Sequence, residues 1–356
     1  MKGTLRSEPG APAPRANPGR IVTNGDTDDD AMLAAIVVAS GARRVSRPNP
    51  WVGAVVVAND GRRYEGATEA PGSRHAEIVA LDAAGVAARG STLVTTLEPC
   101  CTTRRTGPCT EAIIRADVAR VVVGVEDADP DVRGRGIATL RAAGIDVVVG
   151  VRRREVAAQL APYLHHRRSG RPFVVLKMAC TADGRIAATD GRSRWITGPA
   201  ARRRVHELRA ESDAVLVGAG TVRADDPELT VRDADGPSPR RVVLGTVAPD
   251  ARVHPCLEWT GDLPTLLNRL GSEGVVQLLV EGGGRVAGSF HREGLVDRYV
   301  LHVAPRIAGG SDAPGLFGGA AATSVDDFWS GEFVESSMLG DDLELVLEPR
   351  RIENQP

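Results

Sequence analysis

His75-Ala76-Glu77, then Pro99-Cys100, then Cys109 is the stretch whose reading decides the fold. A catalytic zinc takes three protein ligands and keeps its fourth position for water. His75, Cys100 and Cys109 supply three such donors, and the metal lowers the pKa of that water from 15.7 to about 7. Glu77 is left outside the ligand set, free to act as a general acid/base, the arrangement of the zinc deaminases. A structural zinc would use four ligands. No fourth is evident, because Cys101 is adjacent to Cys100 and reads as a packing or pocket-lining residue. Buried side chains without metal would account for the cysteines and the histidine, but not for Glu77.

Working outward, 28–150 alternates helix and strand. Ala31–Ser40 has helical spacing behind Asp28–Asp30, which suit a helix N-terminus. Pro48-Asn49-Pro50 breaks the chain before an apolar strand over 51–58. A helix is expected from His75, a strand over 92–97, a helix from Pro108, strands over 119–125 and 146–151, and a helix over 136–143. Short apolar strands alternating with helices imply a buried sheet covered on both faces, an α/β fold. Both metal motifs then fall at strand-to-helix turns, where the helix dipole favours thiolate.

The 356 residues make two domains the better expectation. Net charge is −2, which offers no broad positive field to a polyanion and argues against a nucleic-acid partner. No apolar run reaches a membrane span, and five cysteines do not read as a disulfide framework. The chain is therefore expected in the cytoplasm; a small-molecule substrate and a homo-oligomer are separate expectations. Residues 1–27, with four prolines at 9, 12, 14 and 18, read as a disordered extension. Residues 28–151 read as the zinc domain, 152–171 as a basic linker with His165 and His166 on its surface, and 172–356 as a second domain.

Pro48-Asn-Pro-Trp-Val-Gly-Ala-Val-Val-Val57, His75-Ala-Glu77 and Leu97-Glu-Pro-Cys100…Arg105-Thr106-Gly-Pro-Cys109 resemble the cytidine-deaminase-fold domain of bacterial riboflavin biosynthesis enzymes. The gap of eight residues between Cys100 and Cys109 carries the resemblance, since other deaminases close this motif as C-x-x-C. Asp127-Ala-Asp-Pro130 and Gly134-Arg-Gly136 resemble that family's downstream segment. The resemblance implies a three-layer domain that deaminates a phosphoribosylamino pyrimidinone, with Asn49 touching substrate. The chain departs from the family pattern at Thr68 and at Thr102-Thr103-Arg104.

The second domain opens with Phe173–Ala179 as a strand and Thr197 as a helix N-cap, and Val275–Val280 runs into Glu281-Gly-Gly-Gly284 and a helix over 285–292. Backbone N–H groups at such a turn can hold phosphate, although a plain tight turn explains the glycines equally well. Lys177–Arg185, Ser193–Thr197, Gly220–Thr230 and Val280–Gly283 are similar to the reductase domain of the same family, which is dihydrofolate-reductase-like and uses NADPH. The resemblance implies that Ala179, Trp195, Thr221, Asp225 and the turn Gly283, Gly284, Arg285, Val286, Ala287, Gly288 and Ser289 face NADPH. Ser193, Arg209, Leu229, Arg232 and Glu281 would face substrate, with Lys177 and Glu281 moving protons. Gly245 stands where the family often has an acidic residue, and 252–274 reads as a short loop. Two alternatives remain open: a reductase with a catalytically weakened zinc domain, and a nucleic-acid-editing deaminase.

Overall fold

The computed structural model describes residues 28–103 and 107–350, so the expected extension over 1–27 and Arg104 lie outside the described residues. The first half comprises α1 (Asp28–Ala42), β1 (Gly53–Val57), β2 (Arg63–Ala67), α2 (Ala76–Ala84), β3 (Thr92–Leu97), α3 (Cys109–Arg115), β4 (Arg120–Val125), α4 (Arg135–Ala142) and β5 (Asp146–Val149). Its sheet has the order β2-β1-β3-β4-β5, with β1 antiparallel to both neighbours and β3, β4 and β5 parallel. Val121, Val122 and Val123 of β4 are all buried, as expected of a strand covered on both faces.

Two close approaches define the layers. A Cβ on Gly53 would meet the Ala35 carbonyl of α1 at 2.0 Å, and one on Gly66 would meet the Ala76 carbonyl of α2 at 2.3 Å. Gly66 is the register partner of Ala54, not of Gly53. Successive strand residues face opposite sides, so α1 and α2 cover opposite faces of one sheet. The absence of side chains at these positions lets α2 sit close enough to present its first turn at the sheet's end.

The expected linker is instead structural. α5 (Arg153–Gln159) and α6 (Ala161–Ser169) place Val156, Leu160, Tyr163 and Leu164 in the first hydrophobic core. The sequence suggests one short helix between two basic stretches, and the structure has two helices, because the apolar residues between the charges repeat at helical spacing. His166 is buried, with Nε2 3.1 Å from the Gly271 carbonyl, and His165 packs edge-on to Phe173, so neither is a surface residue.

The second half contains β6 (Phe173–Thr181), α7 (Pro199–Ala210), β7 (Ala214–Gly218), α8 (Ala219–Asp225), β8 (Arg240–Leu244), β9 (Leu257–Trp259), α9 (Leu263–Ser272), β10 (Gln277–Val280), α10 (Gly284–Arg292), β11 (Arg298–Ala304), β12 (Gly331–Leu339) and β13 (Asp342–Pro349). They build an eight-stranded sheet, β12-β13-β11-β6-β10-β7-β8-β9, parallel from β11 to β9 and antiparallel at the β12–β13 end. The N-cap of α7 is Gly198 rather than Thr197, which is buried. The stretch 252–274 is no loop, because it holds β9 and α9. Asp262 caps α9, accepting from Thr265 N at 2.8 Å, and Leu263, Leu266, Leu267 and Leu270 form its buried face. The end of α1 ties the halves together: Arg43 donates to Gln277 Oε1 at 2.9 Å, and Arg44 pairs with Glu211 at 3.3 Å.

Candidate active sites

The first site forms where α2 and α3 begin. His75 is the N-cap of α2 and Cys109 the first residue of α3, while Cys100 follows the end of β3. His75 Nδ1 lies 3.2 Å from Cys109 Sγ and 3.5 Å from Cys100 Sγ, and the Cys109 N–H donates to Cys100 Sγ at 3.3 Å. Tetrahedral zinc with ordinary bond lengths separates nitrogen and sulfur ligands by about 3.5 Å. The donor set and its spacing therefore fit the metal.

Glu77 is buried on the first turn of α2, and burial together with the neighbouring Cys100 thiolate pushes its pKa up to about 7. The hydrogen bond from Cys109 and the nearby His75 outweigh burial at Cys100, holding its thiol down at about 4. Glu77, His75 and Cys100 line a cavity of ≈ 340 Å³ together with Asn49 and Thr102. Cys101, expected at packing or pocket-lining positions, is half-buried and does not line it.

Asp127, Asp129, Tyr163 and Arg167 also line this cavity, and none of them carries a site role from the sequence alone. The Tyr163 hydroxyl donates to Asp127 at 3.0 Å, and the Arg167 guanidinium lies 5.2 Å over the Tyr163 ring. Burial raises the Asp127 carboxyl to about 6. Glu98 holds this wall in place, accepting from the N–H groups of Asp127, Gly134 and Ile137 at 3.1, 2.9 and 3.1 Å. The signal was an acidic residue at the end of an apolar strand, which burial without several donors would make costly.

The second site is a broad cleft of ≈ 810 Å³ across the carboxyl ends of β6, β7, β8 and β10, the end of a parallel sheet where ligands bind. Lys177, Ala179, Ser193, Thr221, Asp225, Glu281 and the turn Gly283–Val286 line it. Gly283 is the N-cap of α10, and a Cβ on Gly282 would lie 2.5 Å from Val286 Cβ, so the turn keeps an open cradle of backbone N–H groups. With Arg223 and Arg285 also on the cleft, these residues fit a dinucleotide phosphate.

Several expected residues lie elsewhere. Ala287 and Gly288 are buried on the far side of α10, with Gly288 against the Gly318 carbonyl, and Ser289 does not reach the cleft. Helical geometry turns these positions away after one turn. Trp195 is exposed between Arg194 and Arg202. Arg209 is not a free phosphate binder: its Nε and Nη2 meet the two Glu281 oxygens at 2.7 and 2.8 Å. Leu229 is buried, and Arg232 pairs with Glu228 at 2.6 Å, so neither lines the cleft. Burial lowers Lys177 to about 8, although Glu281 opposes the shift. Burial raises the Glu281 carboxyl, but Arg209 and Lys177 outweigh it and hold its pKa below the ordinary value.

Sequence comparison converges on the same two sites. Residues 26–125 match the model of the cytidine and deoxycytidylate deaminase zinc-binding region, and residues 172–345 match the RibD C-terminal domain. The riboflavin biosynthesis protein RibD of Mycobacterium tuberculosis is 41% identical over 346 residues, covering 90% of this chain and 97% of that protein. RibD of Escherichia coli is 35% identical over 363 residues, covering 90% and 99%. The chain belongs to the RibD family. Solved RibD structures agree along the whole fold: that of Acinetobacter baumannii superposes with a TM-score of 0.85 at 34% identity, covering 91% of this chain and 99% of that one. A deaminase/reductase from Thermotoga maritima gives 0.81 at 32% identity, with the same coverage. As a RibD protein the chain is a bifunctional enzyme of riboflavin biosynthesis, with a zinc-dependent deaminase half resembling the cytidine deaminases and an NADPH-dependent reductase half. Among the described residues, no helix is long and apolar enough to cross a membrane.

Proposed function

We propose that the deaminase half hydrolyses the ring amine of 2,5-diamino-6-(5-phosphoribosylamino)pyrimidin-4-one, and that the reductase half converts the product's ribosyl group to ribityl. The Thermotoga maritima relative is described as a diaminohydroxyphosphoribosylaminopyrimidine deaminase/5-amino-6-(5-phosphoribosylamino)uracil reductase. The observation that carries the reading is the buried Glu77 beside the His75–Cys100–Cys109 cluster, opening on a cavity with a polar far wall.

His75, Cys100 and Cys109 would hold the zinc, which would supply Lewis acidity and a nucleophilic water near neutral pH. Glu77 would carry a proton from the attacking water to the departing amine, a role suited to a carboxyl with a pKa of about 7. Asn49 and the Asp127–Tyr163 pair orient the pyrimidine ring, and Arg167 at the far wall suits its phosphate.

In the second cleft Ala179, Thr221, Asp225 and Gly283–Val286 would hold NADPH, which would supply the hydride, and Ser193 would meet substrate. Lys177, protonated below about pH 8, gives a proton to the opening ribosylamine. Glu281, fixed by Arg209, favours the charged form of Lys177 against its burial. Arg209 thus serves as a positioning residue.

The enzyme works in the cytoplasm, a reading supported by five free cysteines. It works as a homo-oligomer, supported by Phe333, Val334 and Met338, apolar side chains exposed on the edge strand β12. Sedimentation should show Phe333→Glu shifting the protein towards monomer.

The test supplies the zinc-loaded protein with the phosphoribosyl diaminopyrimidine and follows ammonia release and NADPH oxidation separately. Ammonia should appear first and NADPH oxidation should require it. Ammonia release from cytidine but not from this substrate would overturn the assignment.

A further inference from the structure

A second set of metal donors lies outside both catalytic sites. Among the described residues, two groups of three place histidine, cysteine or carboxylate ligand atoms within 4.8 Å of one another: His75, Cys100 and Cys109, and then His254, Cys256 and Glu258. The second group occupies alternate positions of His254-Pro-Cys-Leu-Glu258, leading into the edge strand β9. Cys256 Sγ lies 3.5 Å from His254 Nδ1, the same separation as Cys100 Sγ from His75 Nδ1.

The histidine is held as a metal ligand would be. Its Nε2 lies 3.1 Å from the Ala248 carbonyl, which can only accept, so Nε2 carries the proton. The neutral ring then presents the Nδ1 lone pair to Cys256. A ligating histidine characteristically gives its other N–H to a carbonyl or carboxylate in this way. Glu258 is oriented too, since its Oε2 accepts from the Val247 N–H at 3.3 Å. The backbone is fixed by pairing of Glu258 with Val243 across β8–β9, and by Arg241, which donates to the His254 carbonyl at 3.2 Å.

We propose that His254, Cys256 and Glu258 form a second divalent-metal site, selective for zinc, that ties the 248–256 segment to the edge of the reductase sheet. One imidazole, one thiolate and one carboxylate suit zinc better than magnesium or calcium, which prefer all-oxygen shells. Solvent supplies the fourth position, since Glu258 is exposed. Binding releases the thiol proton to water as the cysteine becomes the thiolate. The site is structural: it contains no spare acid or base, and it meets the NADPH cleft only through backbone, where Val247, next to the cleft-lining Thr246, donates to Glu258.

The test is metal stoichiometry of the full-length chain, using zinc alone and then cobalt(II) as a spectroscopic probe. Stripped protein titrated with zinc should take up two ions per chain, the second more weakly because it has one thiolate rather than two. Cys256→Ser and His254→Gln should each reduce uptake to one ion and leave ammonia release unchanged. Cobalt loaded into Cys100→Ser/Cys109→Ser protein should still show a thiolate charge-transfer band, lost when Cys256→Ser is added. Because Cys256 is only half-buried, these variants are expected to fold, and circular dichroism checks that they do. One zinc per chain in the unmodified protein, or a second ion that persists in both single variants, would overturn the proposal.

Discussion

The deaminase cavity and the reductase cleft solve different recognition problems on one chain. The cavity is ≈ 340 Å³, and the groups at its reactive end come from positions 75 to 109, at the starts of two helices and just after the end of β3. The cleft is ≈ 810 Å³ and draws on residues from Lys177 to Pro314 along four strand ends. A metal site needs a few side-chain donors at fixed short distances, so its signature is compact and written in residue identity. A dinucleotide is held largely through backbone N–H groups and shape, so its signature is spread out and rests on glycines that also occur in ordinary turns.

The sharpest way to break this comparison is Glu77→Gln. With His75, Cys100 and Cys109 intact, zinc content should stay the same while ammonia release falls by about 10²–10⁴-fold. NADPH oxidation on already deaminated substrate should not change, and a parallel fall would show that the two sites are not separate. Next in size, Arg209→Met leaves the nearly buried Glu281 carboxylate without its bidentate partner. Breaking such a pair costs about 3–5 kcal/mol. Denaturant melts should show that loss, and reductase turnover should drop with deamination retained.

The third prediction concerns pH. Burial lowers Lys177 to about 8, so its proton is present below that value and is lost as pH rises through it. The reductase step should decline by about tenfold per unit above pH 8, and Lys177→Arg should abolish that limb. A flat profile up to pH 10 would remove Lys177 from the proton path. The smallest effect is expected from Tyr163→Phe, which takes a donor from the buried Asp127. Losing that hydrogen bond should cost about 1 kcal/mol of stability. It should also raise the Asp127 pKa further, which NMR titration can follow, because the Tyr163 contact opposes the burial that holds it near 6.

Much of the first domain was legible because its signals are local. The strand over 92–97 coincides with β3, and the expected helices from His75 and Pro108 are α2 and α3. The far wall of the cavity was not legible. Tyr163 and Arg167 sit on α6, in a segment whose run of basic residues masked its apolar face. In the second domain α9 was passed over although Asp262, Pro264 and four leucines mark its start and its buried face.

The sequence alone determined that His75, Cys100, Cys109 and Glu77 belong together, because imidazole, thiolates and a spare carboxylate at helix starts have one economical chemistry. It also determined two α/β domains in order, since hydrophobic periodicity is a property of neighbours along the chain. Only the tertiary structure decided the partners of the charges. Arginine pairs equally well with a phosphate or with a carboxylate, and nothing local says which. The placement of α7 against the end of β10 brings Arg209 to Glu281, 72 positions away. The same is true of α10: the sequence marks a glycine turn, but its packing against Gly318 determines that Gly283–Val286 face the cleft while Ala287 and Gly288 turn inward.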